Sequence, residues 1–297
     1  MRIAIIGLGV MGKNHYRVLK TLDGARVAAL CDPVAVIPGE HVHKSPDQML
    51  SEAKPDGAII AVPTFLHKEV ALKCMERGVP VLIEKPVAPT VEEGEAVLRA
   101  SREKGVKAAV GHIERFNPVV TALKKELNGK EICGIGITRV GPFPARIEDV
   151  GILADLSVHD IDLIRFLTGR QIKAVSIHKS KKIITHHEDN AVLSFRLEGD
   201  TVASITTNWL TPFRRRKIEV STKDAFYEAD LLSQELTEYS PYKGNNSFAV
   251  RNCFVQKGEP LRNELASFIG FLKGDGAINL ATIEDSIATL EVIKGAV

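Results

Sequence analysis

The chain has 297 residues, 44% of them hydrophobic and 26% charged, with 39 basic side chains against 37 acidic and a formal net charge of +2. Such a length allows about two domains, and so even a charge balance argues against a dedicated nucleic-acid binder. The opening MRIAIIGLG is too short and too glycine-rich for a secretory signal, and no apolar run approaches membrane-spanning length.

Residues 1–111 alternate between two periodicities. The pattern predicts strands at RIAIIG, RVAALCD, GAIIAV, VPVLIEK and KAAVG, with helices over 11–22 and near 66–77 and 90–104. Apolar strands separated by helices form a parallel sheet covered on both faces. The stretch PVAVIPGEHVHKSPDQML leaves little room for a full helix, so the second crossover reads as shortened. After Gly111 the pattern changes. FNP at 116–118 reads as a helix entry, with Asn117 as cap and Pro118 at the first helical position. A helix near 117–128, the strand EICGIGITRVG and the helix ADLSVHDIDLIRFL at 154–167 follow. Leu156, Ile161, Ile164 and Leu167 form the expected buried stripe of that last helix. The strands AVSIHKS, DNAVLSFRL, TVASITTNW and RKIEVSTK then make a mainly antiparallel sheet with one face packed. RRRKIEV reads as the solvated face of an edge strand, where cations discourage aggregation. Helices near 260–273 and 282–294 finish the chain. Cys31, Cys74, Cys133 and Cys253 are scattered and form no C-x-x-C pair, as expected of reduced thiols in a cytoplasmic protein.

GLGVMG is a G-x-G-x-x-G run (Gly7, Gly9 and Gly12, with Val10 and Met11 between the last two). It follows a predicted strand and opens a predicted helix, and Asp32 ends the next strand. That context marks a dinucleotide site: the glycines admit a pyrophosphate close to the backbone, and the helix N-terminus supplies N–H donors. Asp32 can accept hydrogen bonds from ribose hydroxyls. A 2′-phosphate would meet this carboxylate, and Pro33 offers no compensating cation, so the expected cofactor is NAD rather than NADP. The expected fold class is α/β: a Rossmann dinucleotide-binding domain over residues 1–115, then a substrate-binding and oligomerisation domain over 116–297. The second is α+β, with a large, mainly antiparallel open sheet.

Two further motifs join the glycine fingerprint: EKP (Glu84, Lys85, Pro86) at the end of the fourth strand, and D-x-x-x-H-D (Asp155, His159, Asp160) at the start of the later helix. Together they resemble the Gfo/Idh/MocA oxidoreductases over nearly the whole chain. The resemblance implies hydride transfer between a nicotinamide and a sugar or cyclitol carbon. It implies cofactor contacts at Val62, Pro63, Thr64 and His67, in the loop after the third strand, and at Glu84 and Lys85. It implies that Lys85, Asp155 and His159 carry the chemistry and meet substrate. The family often has Asn where this chain has Thr64. GHIERFNP (111–118) and AVPTFLH (61–67) resemble, more narrowly, the branch that oxidises the 3-hydroxyl of UDP-N-acetylglucosamine. Arg115 is the preferred substrate contact, and Arg139, Arg146, Arg214, Arg215, Arg216 and Arg251 are further cations for a diphosphate. A free sugar or cyclitol substrate, or a non-catalytic NAD-binding sensor, stays open as an alternative.

Imidazole titrates near working pH, which makes His159 the candidate base, Asp155 its orienting partner and Lys85 the group that stabilises developing alkoxide charge. The reverse assignment, with Lys85 as base, is chemically open. An Asp/His pair four residues apart also suits a metal, with His41, His43, His186 and His187 as further donors. Their spacing matches no recognised framework, so no metal is expected. A one-sided sheet needs a cover, and the expected assembly is a homodimer or homotetramer.

Overall fold

The computed structural model describes residues 1–143, 151–183, 186–241, 247–276 and 278–295. The chain divides into two compact units, Met1–Phe116 with Glu259–Leu290 and Asn117–Gly258 with Glu291–Val297.

The first unit is built on β1 (Arg2–Ile6), β2 (Arg26–Cys31), β3 (Val42–His43), β4 (Gly57–Ile60), β5 (Val81–Glu84) and β6 (Ala108–Gly111). They form one parallel sheet in the order β3-β2-β1-β4-β5-β6. This is the doubly wound order, whose strand sequence reverses beside β1 and leaves a ligand crevice at the carboxyl ends. Helices α1 (Val10–Leu19), α2 (Pro46–Ala53), α3 (His67–Glu76) and α4 (Val91–Lys104) connect the strands. Ile3 and Ile5 pack with Val18 and Leu19, while Ala4 and Ile6 pack with Val70, Ala71 and Met75 on the opposite face. Burial on both faces explains why β1 reads as a continuous apolar run. The second crossover does lack a full helix directly after β2. The sequence reading missed the two-residue β3 and the short α2, although Pro46 in the first turn of α2 was a visible start signal.

The second unit begins with α5 (Pro118–Glu126), capped by the Asn117 side chain, which accepts from the Val119 N–H. β7 (Ile132–Pro142) follows, then a π-helical turn (Leu153–Ser157) that runs directly into α6 (Val158–Thr168). β8 (Ile172–Ser180), β9 (Asn190–Leu197), β10 (Val202–Asn208), β11 (Leu210–Thr222), β12 (Phe226–Asp230), β13 (Glu235–Tyr239) and β14 (Val250–Cys253) complete an eight-stranded sheet. Its order is β14-β13-β12-β11-β7-β10-β9-β8, and β7 with β10 is its one parallel pairing among the described residues. Only Trp209 separates β10 from β11, yet these strands lie on opposite sides of β7. Burial alternates strictly along β9, where Ala191, Leu193, Phe195 and Leu197 face α5 and α6 residues including Val120, Leu123, Ile161 and Ile164. The opposite face carries Val192, Ser194 and Arg196, all exposed. β11 is an interior strand, flanked by β12 and β7, which corrects the edge-strand reading of RRRKIEV.

The final helices, α7 (Pro260–Lys273) and α8 (Ile283–Ile293), fall where the periodicity placed them. Their partners differ from expectation. Leu261, Leu265, Phe268 and Ile269 join Ile3, Ile5 and Leu30 in one cluster, so residues 259–290 belong to the first unit. The expected second domain over 116–297 is therefore interrupted. Periodicity identifies an apolar stripe but says nothing of which sheet it covers.

Candidate active site

The cofactor end of the first unit explains its glycines individually. Gly7 has φ +92°, and a Cβ there would lie 2.5 Å from the Ala61 carbonyl carbon. A Cβ on Gly12 would lie 1.9 Å from the Gly7 oxygen, whereas one on Gly9 would meet nothing within 4 Å. Gly7 and Gly12 thus serve the packing of the turn itself. Gly9 leaves an open cradle at the start of α1, where no side chain caps the helix. An open, donor-rich N-terminus of this kind fits a pyrophosphate. Asp32 accepts from the Leu8 N–H (2.8 Å), the Val34 N–H (2.9 Å) and the Ala35 N–H (2.7 Å). Burial opposes its charge, but these amides and Lys44 hold the carboxyl below its ordinary range. Val10 and Pro63 are exposed, while Met11, Val62 and Thr64 are half-buried. His67 is buried, with Nδ1 2.8 Å from the Pro86 oxygen and Nε2 3.0 Å from the Val62 oxygen. Its ring ties the loop after β4 to the turn after Lys85, and burial lowers its pKa.

At the end of β5 lies a group of buried acids and imidazoles. The Nε2 of fully buried His15 donates to Oε1 of Glu84 at 2.6 Å. The Glu84 side chain is 13% exposed. Burial would raise its pKa, yet His15, Lys85 and His67 hold it lowered, so it is a carboxylate. Glu264 of α7 is 0% exposed, and among the described residues neither of its carboxyl oxygens has a hydrogen-bond partner. Burial, and then the charge on Glu84, push its pKa well above the usual value, so it is a neutral acid. Sequence reasoning missed both His15 and Glu264. Glu264 left one signal, an acid inside the apolar stripe of 260–273; His15 left none.

A measurable pH dependence follows from Glu264. Above the ordinary carboxyl range the unfolded chain releases this proton and the folded chain keeps it, so stability falls by about 1.4 kcal/mol per pH unit up to the folded-state pKa. Glu264→Gln removes that loss. Melting followed across pH should show the variant more stable than the parent near pH 8. The two should converge toward pH 4.5, the ordinary value for this group. Parallel curves would contradict a neutral Glu264.

In the second unit, Asp155 sits on the π turn and His159 in the first turn of α6, both half-buried. Such π segments recur at functional sites, and here one carries the acid of the D-x-x-x-H-D motif. The next residue, Asp160, is anchored. Arg139 of β7 donates from Nε to Oδ1 at 2.8 Å and to Oδ2 at 3.0 Å, and its NH2 lies 2.8 Å from Oδ1. The two side chains are 3% and 0% exposed. Glu188 supports the helix entry by accepting from the Leu153 N–H at 3.3 Å, while its backbone oxygen accepts from the Ile152 N–H at 2.9 Å. A Cβ on Gly151 would fall 2.1 Å from the Glu188 carboxylate, so any other residue there would push that side chain off its present position. Ile161, Ile164 and Leu167 are buried as expected, whereas Leu156 is half-buried.

Comparison with known proteins then decides the family. Residues 1–112 match the oxidoreductase family with an NAD-binding Rossmann fold, and residues 141–228 match the Gfo/Idh/MocA C-terminal domain. The chain belongs to the Gfo/Idh/MocA oxidoreductase family. It is 30% identical to UDP-N-acetylglucosamine 3-dehydrogenase of Acidithiobacillus ferrooxidans over 80% of this chain and 77% of that one. It is 33% identical to inositol 2-dehydrogenase 2 of Saccharopolyspora erythraea, but over 61% of this chain and only 58% of that relative's length. Identity to the NAD-dependent scyllo-inositol 2-dehydrogenase of Bacillus subtilis is 28%, over 98% of this chain and 92% of that one. The solved structure of the Acidithiobacillus enzyme shares the fold, with a TM-score of 0.89 at 24% identity, covering 99% of this chain and 95% of that one. This chain is thus an NAD-binding oxidoreductase of that family.

Several cations of this oxidoreductase are already matched. Arg115 is buried, and its NH2 lies 3.1 Å from Asp285. Arg139 is held by Asp160, and Arg251 bridges Glu126 and Glu238. Arg146 lies outside the described residues. Arg214 and Arg215 are exposed on β11 and have no carboxylate partner among the described residues; Arg215 lies 5.5 Å from the centre of the Phe213 ring. Among the described residues, potential metal donors gather only at Glu126, Glu238 and Cys253, within 4.8 Å of one another. Arg251 and the Tyr227 hydroxyl already engage those carboxylates, so the group works as an ion-pair network. Cys31, Cys74, Cys133 and Cys253 are free thiols. No described helix is long and apolar enough to cross a membrane.

Proposed function

We propose that this oxidoreductase oxidises the C3 hydroxyl of a nucleotide-activated amino sugar, UDP-N-acetylglucosamine, to the 3-keto sugar. The observation that carries this reading over a cyclitol is the 30% identity to a UDP-N-acetylglucosamine 3-dehydrogenase over most of both chains. Arg214 and Arg215, on successive positions and so opposite faces of β11, are exposed cations with no carboxylate partner among the described residues, either of which could meet a diphosphate. A diphosphate is a dianion that guanidinium groups recognise through paired N–H donors, and a cyclitol has no such charge. Both arginines lie within the unit that bears His159. Arg216 stands opposite Arg139 in the β11–β7 ladder, and Arg139 holds the residue next to His159. The inositol dehydrogenases among the relatives favour a cyclitol as the second reading.

The Gly9 cradle would hold the pyrophosphate of NAD and Asp32 its adenosine ribose, and the bound nicotinamide would supply the hydride acceptor. Hydride leaves a carbinol carbon readily only as the hydroxyl proton departs. His159 takes that proton, and Asp155 orients the ring and stabilises its charged form. The Lys85 ammonium donates a hydrogen bond to the reacting oxygen and offsets its developing negative charge.

The substrate test incubates the protein with NAD and either UDP-N-acetylglucosamine or inositol, with pyruvate and lactate dehydrogenase to reoxidise the NADH and draw the oxidation forward. Mass spectrometry should find loss of two hydrogens from the sugar nucleotide. Loss from inositol alone selects the cyclitol reading, and no turnover across a sugar panel with NAD still bound selects a sensor. The cofactor choice has its own measurement. Fluorescence titration should give tighter binding of NAD than of NADP, and Asp32→Asn should narrow that gap by removing the charge that opposes a 2′-phosphate. Tighter NADP binding by the unmodified protein rejects this reading of Asp32.

A further inference from the structure

Asp32 is followed in the chain by Pro33, which carries no charge, but strand pairing brings a cation to the same place. Leu30 and Cys31 of β2 pair with Val42 and His43 of β3, and the Asp32 N–H donates to the His43 oxygen at 2.9 Å. Asp32 and Lys44 therefore leave the sheet side by side, at its carboxyl edge. We propose that Lys44 is a cofactor-specificity residue: it is the cation that the 2′-phosphate of NADP would meet, and it narrows the preference for NAD that Asp32 creates. The proposal rests on the reading of Asp32 as the ribose ligand.

Ala35 joins the two charges. Its N–H donates to Asp32 Oδ1 at 2.7 Å, and its carbonyl oxygen accepts from Lys44 Nζ at 3.4 Å. The ammonium is thus fastened to the same short turn that fixes the carboxylate. The carboxylate itself cannot swing aside for a phosphate, because Leu8 holds Oδ2 while Val34 and Ala35 hold Oδ1. A 2′-phosphate would bring nearly two further negative charges, about −1.5 to −2 near neutral pH, so its binding depends on a cation within reach. Lys44 meets that need. It is exposed and, among the described residues, pairs with no carboxylate. The acids nearest to it in the chain are engaged elsewhere: Glu40 accepts from the Tyr16 hydroxyl and lies 3.7 Å from Lys20, and Glu52 lies 3.7 Å from His43. The contact that Lys44 does make, with a neutral carbonyl at 3.4 Å, is long for a hydrogen bond and weaker than one to a phosphate oxygen. The ammonium is therefore placed at the ribose turn and remains available to an anion there.

The test reads binding alone. NADH and NADPH are titrated by fluorescence into the full-length protein, without substrate, at low ionic strength. The parent is compared with Lys44→Gln, Lys44→Arg, Asp32→Asn and the double variant Asp32→Asn with Lys44→Gln. Glutamine keeps an N–H donor for the Ala35 oxygen, so the turn is retained while the charge is lost. Lys44→Gln should weaken NADPH binding by about 3–10-fold and change NADH binding by less than about twofold, as expected of one exposed cation lost from a phosphate. Added salt should shrink that loss, and Lys44→Arg should bind NADPH as the parent does. In the Asp32→Asn background, Lys44→Gln should again weaken NADPH, and this comparison decides if the parent binds NADPH too weakly to titrate. Equal NADPH affinity with and without Lys44→Gln overturns the proposal. So does an equal loss of NADH and NADPH, because Lys44 would then only support the turn. An Asp32→Asn variant whose NADPH affinity matches the parent's refutes the reading of Asp32 instead, and the Lys44→Gln contrast is still measured.

Discussion

Lys85→Met and His159→Asn should each lower turnover by roughly 10²–10⁴-fold, the usual range for a proton-transfer or charge-stabilising group. Each substitution removes one function and little volume. Met keeps the length and apolar stem of lysine but carries no charge. Asn fills the place of the imidazole and cannot accept a proton at neutral pH. NAD affinity, measured by fluorescence, should change little in either, since neither variant alters the Gly9 cradle or the Asp32 turn. The pH–rate profile separates the roles. If His159 is the base, His159→Asn loses the limb that titrates near neutrality, and Lys85→Met keeps it. The reverse pattern assigns the base to Lys85. Near-parental turnover in His159→Asn at neutral pH would falsify the mechanism.

The second large effect concerns stability. Arg139→Met should destabilise the protein by about 3–5 kcal/mol, because it leaves the buried Asp160 carboxylate without the guanidinium that now meets both of its oxygens. The pair makes a bidentate contact with almost no exposure, so solvent cannot take over the role of the guanidinium. The control is the double variant Arg139→Met with Asp160→Leu. Removing both charges from a buried pair is often nearly neutral, so the double variant should recover much of the loss. Denaturant unfolding followed by circular dichroism measures both. A single variant no less stable than the double would show that Asp160 gains nothing from Arg139. Because Asp160 adjoins His159, the single variant should also lose turnover, and the double should not regain it fully.

Much of this architecture was legible because its causes are local. The run from Gly7 to Gly12 lies between a strand and a helix, and the structure gives Gly7 and Gly12 a steric reason within the turn and leaves the space at Gly9 open. Asn117 and Pro118 start α5 through contacts within one turn. Helix α7 has the predicted bounds because a Pro start, an apolar stripe and Gly274 after its last residue all act nearby. Features that depend on distant residues stayed hidden. The hydrogen bond from His15 to Glu84 joins α1 to the end of β5, and no spacing rule connects them. The place of β11 inside the sheet depends on β12 pairing along its far side, beyond the last strand the reading identified. The π turn under Asp155 is invisible to a pattern that assumes a uniform helical period. Of the site itself, the residue types were readable from motifs. The supports behind them, Arg139, Glu188 and His15, appear in that role only once the strands are paired.

The position of β7 has a consequence for how this chain folds. Both of its neighbours, β10 and β11, come from far downstream, joined to each other through Trp209 across the end of the strand they enclose. The centre of that sheet is thus built from non-local pairings, which form slowly because loop-closure entropy must be overcome before the contacts exist. A nascent chain ending before β11 would carry β7 with one edge bare, the kind of surface that aggregates. The other unit waits as well. One face of its sheet is covered by α7, which is made only after the whole second sheet. Neither unit can finish folding during early synthesis, so the cofactor end and the His159 helix mature nearly together, late in the life of the nascent chain.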